Sequence, residues 1–391
     1  MYEELKLKFT EVYRTAPTML FSAPGRTELC GNHTDHQGGV VLAGAVNLET
    51  VAAVRPREDD RIRLLSEGYP LCELSLSSLE ANAAEAGSTT ALIRGVAAGF
   101  AFRGFHPVGF DACVCSSVLP GSGLSSSAAF EILLGTIQNS LSNAGLSAMQ
   151  LAQIGQLAEN RYYGKPSGLL DQAAAACGGV TFLNFAPDRE PTAERIDFDF
   201  AAHGYALCVI DSGADHADLT GDYSAIPGEL GQVSSFFGKH VLQEVDEGEF
   251  CRKLPELRQW IGERPVLRAM HIFEENRRVI RARDALLQED MQAFLSALHD
   301  SGRSSQLYLQ NIIPANGNQA LAYTLACAER LLGGEGVCRV QGGGFAGTIQ
   351  AFVPLEKTDM FCEEMNRLLG RDSCLVLQIR PHGGLLLECS E

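Results

Sequence analysis

Pro120-Gly-Ser-Gly-Leu-Ser-Ser-Ser-Ala-Ala129 is a glycine- and serine-rich loop between a predicted strand at 110–115 and a predicted helix at 128–141. Glycines let backbone amides approach a phosphate closely, and the following helix adds its positive N-terminal dipole. The loop therefore indicates a nucleotide-phosphate site, and a turn with serine helix caps is the alternative. The candidate residues are Pro120, Gly121, Ser122, Gly123, Leu124, Ser125, Ser126, Ser127 and Ala128.

Two common phosphate-binding signatures do not fit the sequence. Gly164-Lys165 is followed by Pro166, where a Walker loop has serine or threonine, and a dinucleotide GxGxxG is missing. The hydroxyls of Ser126 and Ser127 are instead hard oxygen ligands of the kind that Mg²⁺ prefers.

Upstream of the loop, polar residues crowd the stretch Ser22-Ala-Pro-Gly-Arg-Thr-Glu-Leu-Cys-Gly-Asn-His-Thr-Asp35, which has apolar flanks. Arg26, His33 and Asp35 suit a polyhydroxyl ligand, because such a ligand needs convergent donors and acceptors. A surface loop closed by an Arg–Asp pair explains the same residues equally well.

Downstream, Gly168-Leu-Leu-Asp-Gln172 places Asp171 among apolar residues, so we expect its carboxyl group to be buried. A buried carboxylate needs a partner or a functional role. A helix N-cap is the alternative. Glu159, on the preceding predicted helix, is either a magnesium ligand or a solvated helix residue, and the sequence alone favours the solvated residue.

A third glycine loop, Gly342-Gly-Gly-Phe-Ala-Gly347, lies between predicted strands at 338–340 and 348–353. Glycines here allow close backbone approach by a ligand or another domain. In isolation, a tight hairpin is the better interpretation.

The 391 residues suggest two domains, and the mixture of strands and helices without a regular β-α-β rhythm favours an α+β fold. The pattern predicts a hairpin over 50–65, a helix from the capping box at 147–150 to about 162, a strand at 205–210, and one or two helices over 268–299. We expect the boundary near 186–194, giving domains 1–185 and 186–391.

Lys and Arg total 31 against 48 Asp and Glu, a net charge of −17, which argues against a nucleic-acid or anionic-membrane partner. No apolar run approaches the roughly 18 residues of a membrane helix. The N-terminus lacks a signal-peptide pattern, so we expect a cytoplasmic protein whose 12 cysteines, without paired metal spacing, are reduced. The sequence does not indicate an oligomeric state.

Taken in order, these segments resemble galactokinases of the GHMP kinase superfamily over nearly the whole chain. The segments that carry the resemblance are 23–39, 120–129, 158–172, 268–307, 342–347 and 381–384. The resemblance implies two α+β domains with the active site in the cleft between them, ATP as co-substrate and Mg²⁺.

The resemblance also implies roles for individual residues. Asp171 would orient or deprotonate the anomeric hydroxyl of a sugar, and Arg26 would hold Asp171 ionised and stabilise the transferring phosphoryl group. Ser127 and Glu159 would hold magnesium, with Ser126 as the other candidate. The sugar would be bound by Asn32, His33, Asp35, Gly168 and Tyr223, and Gly342, Gly343 and Gly344 form the third motif.

Several positions depart from the family pattern. Glu28 stands where Asn is usual, Asn32 where Glu is usual, and His36 where Tyr is usual, and the acidic pattern near 304–311 is replaced. Because the family's glutamate at position 32 bonds the C6 hydroxyl, Asn32 predicts a sugar altered at C6 or C2, such as galacturonate or N-acetylgalactosamine, over galactose. A sugar sensor without phosphoryl transfer is a further alternative, disfavoured by the intact loop, Arg26 and Asp171.

Overall fold

The computed structural model describes residues 1–118, 123–214 and 219–389. Its strands are β1 Met19–Cys30, β2 Val40–Pro56, β3 Arg61–Ser66, β4 Cys72–Ser75, β5 Phe110–Ser116, β6 Val180–Asn184, β7 Thr192–Ile196, β8 Tyr205–Asp211, β9 Val337–Val340, β10 Thr348–Pro354, β11 Cys374–Leu377 and β12 Leu385–Cys389. Its α-helices are α1 Tyr2–Tyr13, α2 Thr89–Phe102, α3 Ser126–Leu141, α4 Ala148–Leu157, α5 Leu170–Cys177, α6 Thr220–Phe236, α7 Glu247–Arg252, α8 Leu254–Ile261, α9 Glu263–Leu287, α10 Met291–Ser304, α11 Ala320–Leu332 and α12 Thr358–Leu369.

The strands form two sheets. The first has the order β12-β1-β2-β5-β3-β4, and β6 pairs with both β2 and β7. The second has the order β11-β8-β10-β9. Helices α2 to α5 cover one face of the first sheet, and α11 and α12 cover the second, so each sheet buries its own apolar core. The α+β fold with two units is therefore confirmed.

The long helices α9 and α10 lie where the two sheets meet. Val279 of α9 and Phe294 of α10 belong to one apolar cluster with Leu42 of the first sheet and Phe352 of the second. The expected helical stretch at 268–299 is therefore two helices, and Asp290 caps the second by accepting a bond from the amide of Ala293 at 2.9 Å.

Most of the predicted elements are present, including the capping box of Ser147 and Gln150 at the start of α4. The helix that begins there continues as a π-helical turn, Ala158–Tyr163. Strands β9 and β10 flank the third glycine loop and pair antiparallel, as the sequence indicated.

The hairpin expected at 50–65 is wrong, although both of its strands exist. β5 lies between β2 and β3, antiparallel to the first and parallel to the second. Asp111 of β5 accepts hydrogen bonds from Arg57, in the expected turn, at 3.0 Å and from Arg63, on β3, at 2.7 Å, so these two arginines bind the inserted strand.

The expected boundary region at 186–194 is also structured differently. β7 begins within it and pairs antiparallel with β6. The first sheet then gains β12, which pairs with β1 from the far end of the sequence. The division at residue 185 stays a prediction. Strands β7 and β12 belong to the first sheet, although both follow residue 185 in the sequence. No helix of the described ranges is long and apolar enough to cross a membrane.

Candidate active site

Arg26 and Asp171 form an ion pair where β1 meets α5. Nη2 and Nε of Arg26 lie 2.7 and 2.8 Å from Oδ1 of Asp171, and the hydroxyl of Ser125 donates to Oδ2 at 2.7 Å. Burial acts to raise the pKa of Asp171, but Arg26 and the bond from Ser125 outweigh it, so the pKa lies below its usual value. The carboxylate therefore stays ionised, with 30% of its side chain still exposed to an incoming ligand.

The alternatives for these two residues fail on geometry. The N-cap of α5 is Leu169, so Asp171 is a residue of the first turn and not a cap. Arg26 pairs with Asp171 instead of closing a surface loop onto Asp35, and its side chain is only 6% exposed.

The loop before α3 is attached to β1 through Arg26. The backbone amide of Arg26 donates to the carbonyl of Leu124 at 2.9 Å, and its Nη1 donates to the carbonyl of Gly123 at 2.6 Å. Gly123 has φ of 69°, and a Cβ there would lie 2.1 Å from Oγ1 of Thr348 on β10. Only glycine fits this position, because both the backbone conformation and the space exclude a side chain.

The N-terminus of α3 points at the same centre. Ser125, with φ of 57°, is the N-cap residue, yet its hydroxyl bonds to Asp171 instead of capping an amide. Among the described residues no side chain caps the amides of the first turn, so these amides can bind an anion. Ser126 is half-buried in that turn, and Ala128 lies in the core. Pro120, Gly121 and Ser122 of the expected phosphate loop lie outside the described residues.

Glu159 is 3% exposed, so its interpretation as a solvated helix residue is wrong. Its Oε1 accepts bonds from Ser127 at 3.3 Å and from Lys165 at 2.8 Å. Its Oε2 accepts bonds from Ser167 at 2.6 Å and from Gln172 at 2.8 Å. These four donors hold the carboxylate inward, and the two residues expected to bind magnesium lie side by side.

The third glycine loop is held through its carbonyl groups. Asn32 donates to the carbonyl of Gly342 at 2.5 Å, and Tyr223, in the first turn of α6, donates to that of Gly344 at 2.9 Å. The carbonyl of Gly343 lies 3.1 Å from Nε2 of His33. Three side chains expected to bind sugar thus all reach this loop.

The amide of Asn32 is fully used by protein groups. Its Oδ1 accepts bonds from Asn311 at 2.8 Å and from Ser305 at 3.2 Å, while its Nδ2 lies 3.2 Å from both carboxylate oxygens of Glu28. The residue is completely buried. A ligand could reach this amide only by breaking several of these bonds.

A chain of hydrogen bonds fixes the tautomers of His33 and His36. The amide of Leu242 donates to Oε1 of Gln37, so the Nε2 of Gln37 donates to Nδ1 of His36 at 3.1 Å. The proton of His36 is therefore on Nε2, from which it is donated to Nδ1 of His33 at 3.0 Å. His33 must then carry its proton on Nε2, facing Gly343. Burial lowers the pKa of His33 to about 3, so the ring is neutral.

Asp35 and Gly168 face each other closely. A Cβ on Gly168 would lie 1.7 Å from Oδ2 of Asp35, so the backbone at 168 must be glycine to make room for the carboxylate. Within the part of the chain that the structure describes, no group hydrogen-bonds the carboxylate of Asp35. It is the expected sugar-facing residue with free acceptor atoms.

A buried ion pair joins the two sheets behind the site. Nη2 of Arg339, on β9, lies 2.8 Å from Oε1 of Glu28 on β1, and Nη1 donates to the carbonyls of Glu28 and Leu29 at 3.0 Å each. Burial raises the pKa of Glu28 to about 7, opposed mainly by Arg339. The departures at positions 28 and 32 thus belong to one internal network.

Sequence reasoning missed the partners that complete the site. The bond from Ser125 to Asp171 depends on a positive φ that no residue pattern reveals. Lys165 follows Glu159 by six residues and forms an ion pair with it, a spacing that could have suggested the pair. Gln172, next to Asp171, bonds both Glu159 and Glu131.

The arrangement can support one kind of chemistry particularly well. An ionised carboxylate beside an arginine can orient or deprotonate a hydroxyl, and the arginine and open helix N-terminus can stabilise charge on a phosphoryl group.

Comparisons with known proteins agree with this geometry. The galactokinase galactose-binding signature matches residues 7–56, and the N-terminal domain of GHMP kinases matches residues 91–179. A galactokinase of Streptomyces coelicolor is 32% identical over 352 residues, covering 90% of this chain and 89% of that protein. A galactokinase of Actinobacillus pleuropneumoniae is 31% identical over 366 residues, with the same coverage.

Solved structures show the same fold. The galactokinase of Lactococcus lactis complexed with galactose has a TM-score of 0.84 and 26% identity, covering 98% of this chain and 99% of that one. The mevalonate kinase of Methanococcus jannaschii, at 15% identity, a TM-score of 0.65 and coverage of 93% of this chain and 98% of that one, shares the fold alone. From the site geometry, the matching signatures and these relatives, we conclude that the chain belongs to the galactokinase family of GHMP kinases, phosphotransferases that act on a sugar hydroxyl.

Proposed function

We propose that this chain transfers the γ-phosphoryl group of ATP to the anomeric hydroxyl of galactose. The observation that carries the proposal is the centre formed by Arg26, Asp171 and Ser125 at the N-terminus of α3. The galactokinases at 30–32% identity over 90% of the chain support the choice of sugar and of ATP.

In this proposal Asp171 accepts a hydrogen bond from the reacting hydroxyl, either removing its proton or orienting its oxygen. Arg26 keeps Asp171 ionised and lies close enough to neutralise charge on the transferring group. Asp35 accepts bonds from sugar hydroxyls, and Gly168 leaves the space beside its backbone that the Asp35 carboxylate occupies. His33, Asn32 and Tyr223 act by holding the third glycine loop against the ligand.

Ser127 and Glu159 are the residues we propose as ligands of Mg²⁺. Their hydroxyl and carboxylate oxygens are the hard donors that this ion requires, and they already lie 3.3 Å apart. A bound magnesium ion supplies positive charge to the phosphate oxygens during transfer. Lys165 supplies a further positive charge to the same carboxylate, with its Nζ 2.8 Å from Oε1 of Glu159.

The structure weakens the argument for a sugar altered at C6. That argument required the amide of Asn32 to face the sugar, but the amide is buried and bonded to Gly342, Asn311 and Glu28. A sugar sensor without catalysis is likewise disfavoured, since Arg26, Asp171 and Ser125 form the bonded centre on which the proposal rests. We also place the reaction in the cytoplasm, where ATP and reduced cysteines are found.

The test is a measurement of kcat/KM with Mg²⁺-ATP for galactose, galacturonate, N-acetylgalactosamine, arabinose and glucose. We expect galactose to give the highest value and the product to be the 1-phosphate. A clearly better rate with galacturonate or N-acetylgalactosamine would overturn the sugar assignment. Binding of a sugar without phosphate transfer to any member of the panel would overturn the enzyme assignment.

A further inference from the structure

Three cysteines from separate elements meet at the second sheet. Cys208 lies on β8, Cys374 on β11 and Cys362 on α12. Their sulfur atoms all lie within 4.8 Å of one another, and the sulfurs of Cys362 and Cys374 are 3.0 Å apart. In the described ranges, no histidine or carboxylate joins this group.

The fold explains why the three sulfurs converge. Cys374 pairs with Ile210, two residues beyond Cys208, so both cysteines point to the same face of the sheet. Helix α12 packs on that face through Phe361 and Met365, which brings Cys362 over the strands.

Asn366 lies one turn after Cys362 on α12, and its side chain holds the start of β11 against the helix. Its Oδ1 accepts bonds from the backbone amides of Cys374 at 3.0 Å and Ser373 at 2.9 Å. These bonds hold the end of α12 against the start of β11, which keeps Cys362 and Cys374 close to each other.

The surroundings suit soft ligands and leave one side open. Cys208 is fully buried in an apolar cluster, while Cys362 and Cys374 are half-buried at its edge.

We propose that Cys208, Cys362 and Cys374 form a binding site for a thiophilic divalent ion of the zinc class. Zinc–thiolate bonds of about 2.3 Å in a tetrahedron place sulfurs about 3.8 Å apart, so the present spacing needs only small side-chain rotations. On binding, the three thiols give three protons to solvent and three sulfur–metal bonds form, leaving one net negative charge. A water molecule from the exposed edge fills the fourth position.

The proposal is independent of the phosphotransfer reaction. The ion would link α12 to the two strands that it covers, and would stabilise the C-terminal sheet by binding the folded state alone. The sequence did not suggest it, because the three positions have none of the short spacing of common zinc motifs.

The experiment titrates the reduced full-length chain with Cd²⁺ under anaerobic conditions, following the thiolate-to-metal charge-transfer absorption. We expect wild type to bind one ion tightly, with release of protons, and to unfold at a higher temperature when loaded. Cys362→Ser and Cys374→Ser should each weaken binding by at least about tenfold, since even supporting groups of a metal site cost that much. Cys251→Ser, an exposed thiol on α7, is the matched control and should bind as wild type does.

A second measurement separates metal binding from simple oxidation. Peroxide converts two thiols into a disulfide and two waters, so metal-free wild type should form the bond between Cys362 and Cys374. Loading with Zn²⁺ should slow this reaction strongly. Equal oxidation rates with and without Zn²⁺, or equal Cd²⁺ affinity in wild type and Cys362→Ser, would overturn the proposal.

Discussion

At the scale of single residues, Asp171 is distinguished by receiving a different donor on each carboxylate oxygen. Arg26 occupies Oδ1 and Ser125 occupies Oδ2. An asparagine has the same shape, but its amide carries no charge and one of its two ends would present hydrogens to a donor. The site is thus built around the ionised form.

Asp171→Asn should therefore lower kcat by a factor on the order of 10² or more, the usual scale for an acid–base or electrostatic group. Binding of galactose should change by only a few-fold. Turnover and calorimetric sugar binding measure the two effects, with exposed Asp188→Asn as the control. Turnover within a few-fold of wild type would show that Asp171 does not act on the reacting hydroxyl.

The ammonium group of Lys165 lies beside the carboxylate of Glu159, where a metal ion would approach. Its side chain is 58% exposed, so the pair is worth at most about 1 kcal/mol. Lys165→Met should then lower the Mg²⁺ concentration needed for half-maximal nucleotide binding by up to about fivefold. Lys165→Arg retains the charge and should resemble wild type. A higher Mg²⁺ requirement in Lys165→Met would instead indicate that the lysine contacts the nucleotide.

At the scale of elements, the third glycine loop depends on close backbone packing. Gly344 has φ of 77°, and a Cβ there would lie 2.2 Å from the carbonyl oxygen of Asn311. Gly334 has φ of 88° but open space around it. The two positions are matched for backbone conformation and differ in crowding.

Gly334→Ala should cost about 1 kcal/mol of unfolding free energy, from its backbone conformation. Gly344→Ala should cost about 1–3 kcal/mol more, because the added methyl group forces the loop away from Asn311. Urea unfolding of both variants measures the difference. Equal losses would mean that the loop can move aside freely.

The elements also show how far sequence patterns reach. Local signals were sufficient for the capping box at Ser147, the strands around the third loop and the helix after the serine-rich loop, because hydrogen bonds near in sequence determine them. The pairing of β3 was not predictable from its own residues. It depends on β5 and on Asp111, which lies nearly fifty residues after β3 and binds Arg57 of the expected turn and Arg63 of β3.

The residues of the candidate site could be identified from the sequence, but their contacts could not. Arg26 and Asp171 could be identified as candidates from sequence and from the family resemblance, but their contact is a product of folding. The environment of Asn32 could not be predicted, since its partners Gly342 and Asn311 come from the far end of the chain. Burial of Glu159 depended on Gln172 and Ser167, which local polarity does not reveal.

At the scale of the whole molecule, the buried pair of Glu28 and Arg339 connects β1 of the first sheet to β9 of the second. Arg339→Met should destabilise the chain by about 3–5 kcal/mol near pH 8, because it leaves a carboxylate buried without its cation. Glu28→Gln combined with Arg339→Met should recover much of that loss. Arg281→Met, which breaks an exposed pair with Asp300, is the control and should cost about 1 kcal/mol or less.

The destabilisation caused by Arg339→Met should decrease as pH falls from 8 to 5. Burial raises the pKa of Glu28 to about 7 from an ordinary value of 4.5, so the fold favours the protonated acid. The stabilisation of the folded state that comes from the raised pKa of Glu28 is complete below about pH 4.5 and is lost as pH rises through about 7. The difference in unfolding free energy between wild type and Arg339→Met should therefore be smaller near pH 5 than near pH 8. A difference that is constant over this range would mean that Glu28 remains ionised throughout.

The pairing of β12 with β1 sets an order of events during translation. A ribosome synthesises β1 first and β12 only after every strand of the second sheet, yet β1 and β12 are hydrogen-bonded neighbours. Throughout that interval the nascent chain carries β1 with one edge uncovered, and an uncovered strand edge is a template for association with other chains. The β1 edge of the first sheet therefore stays uncovered until residues 385–389 have been synthesised.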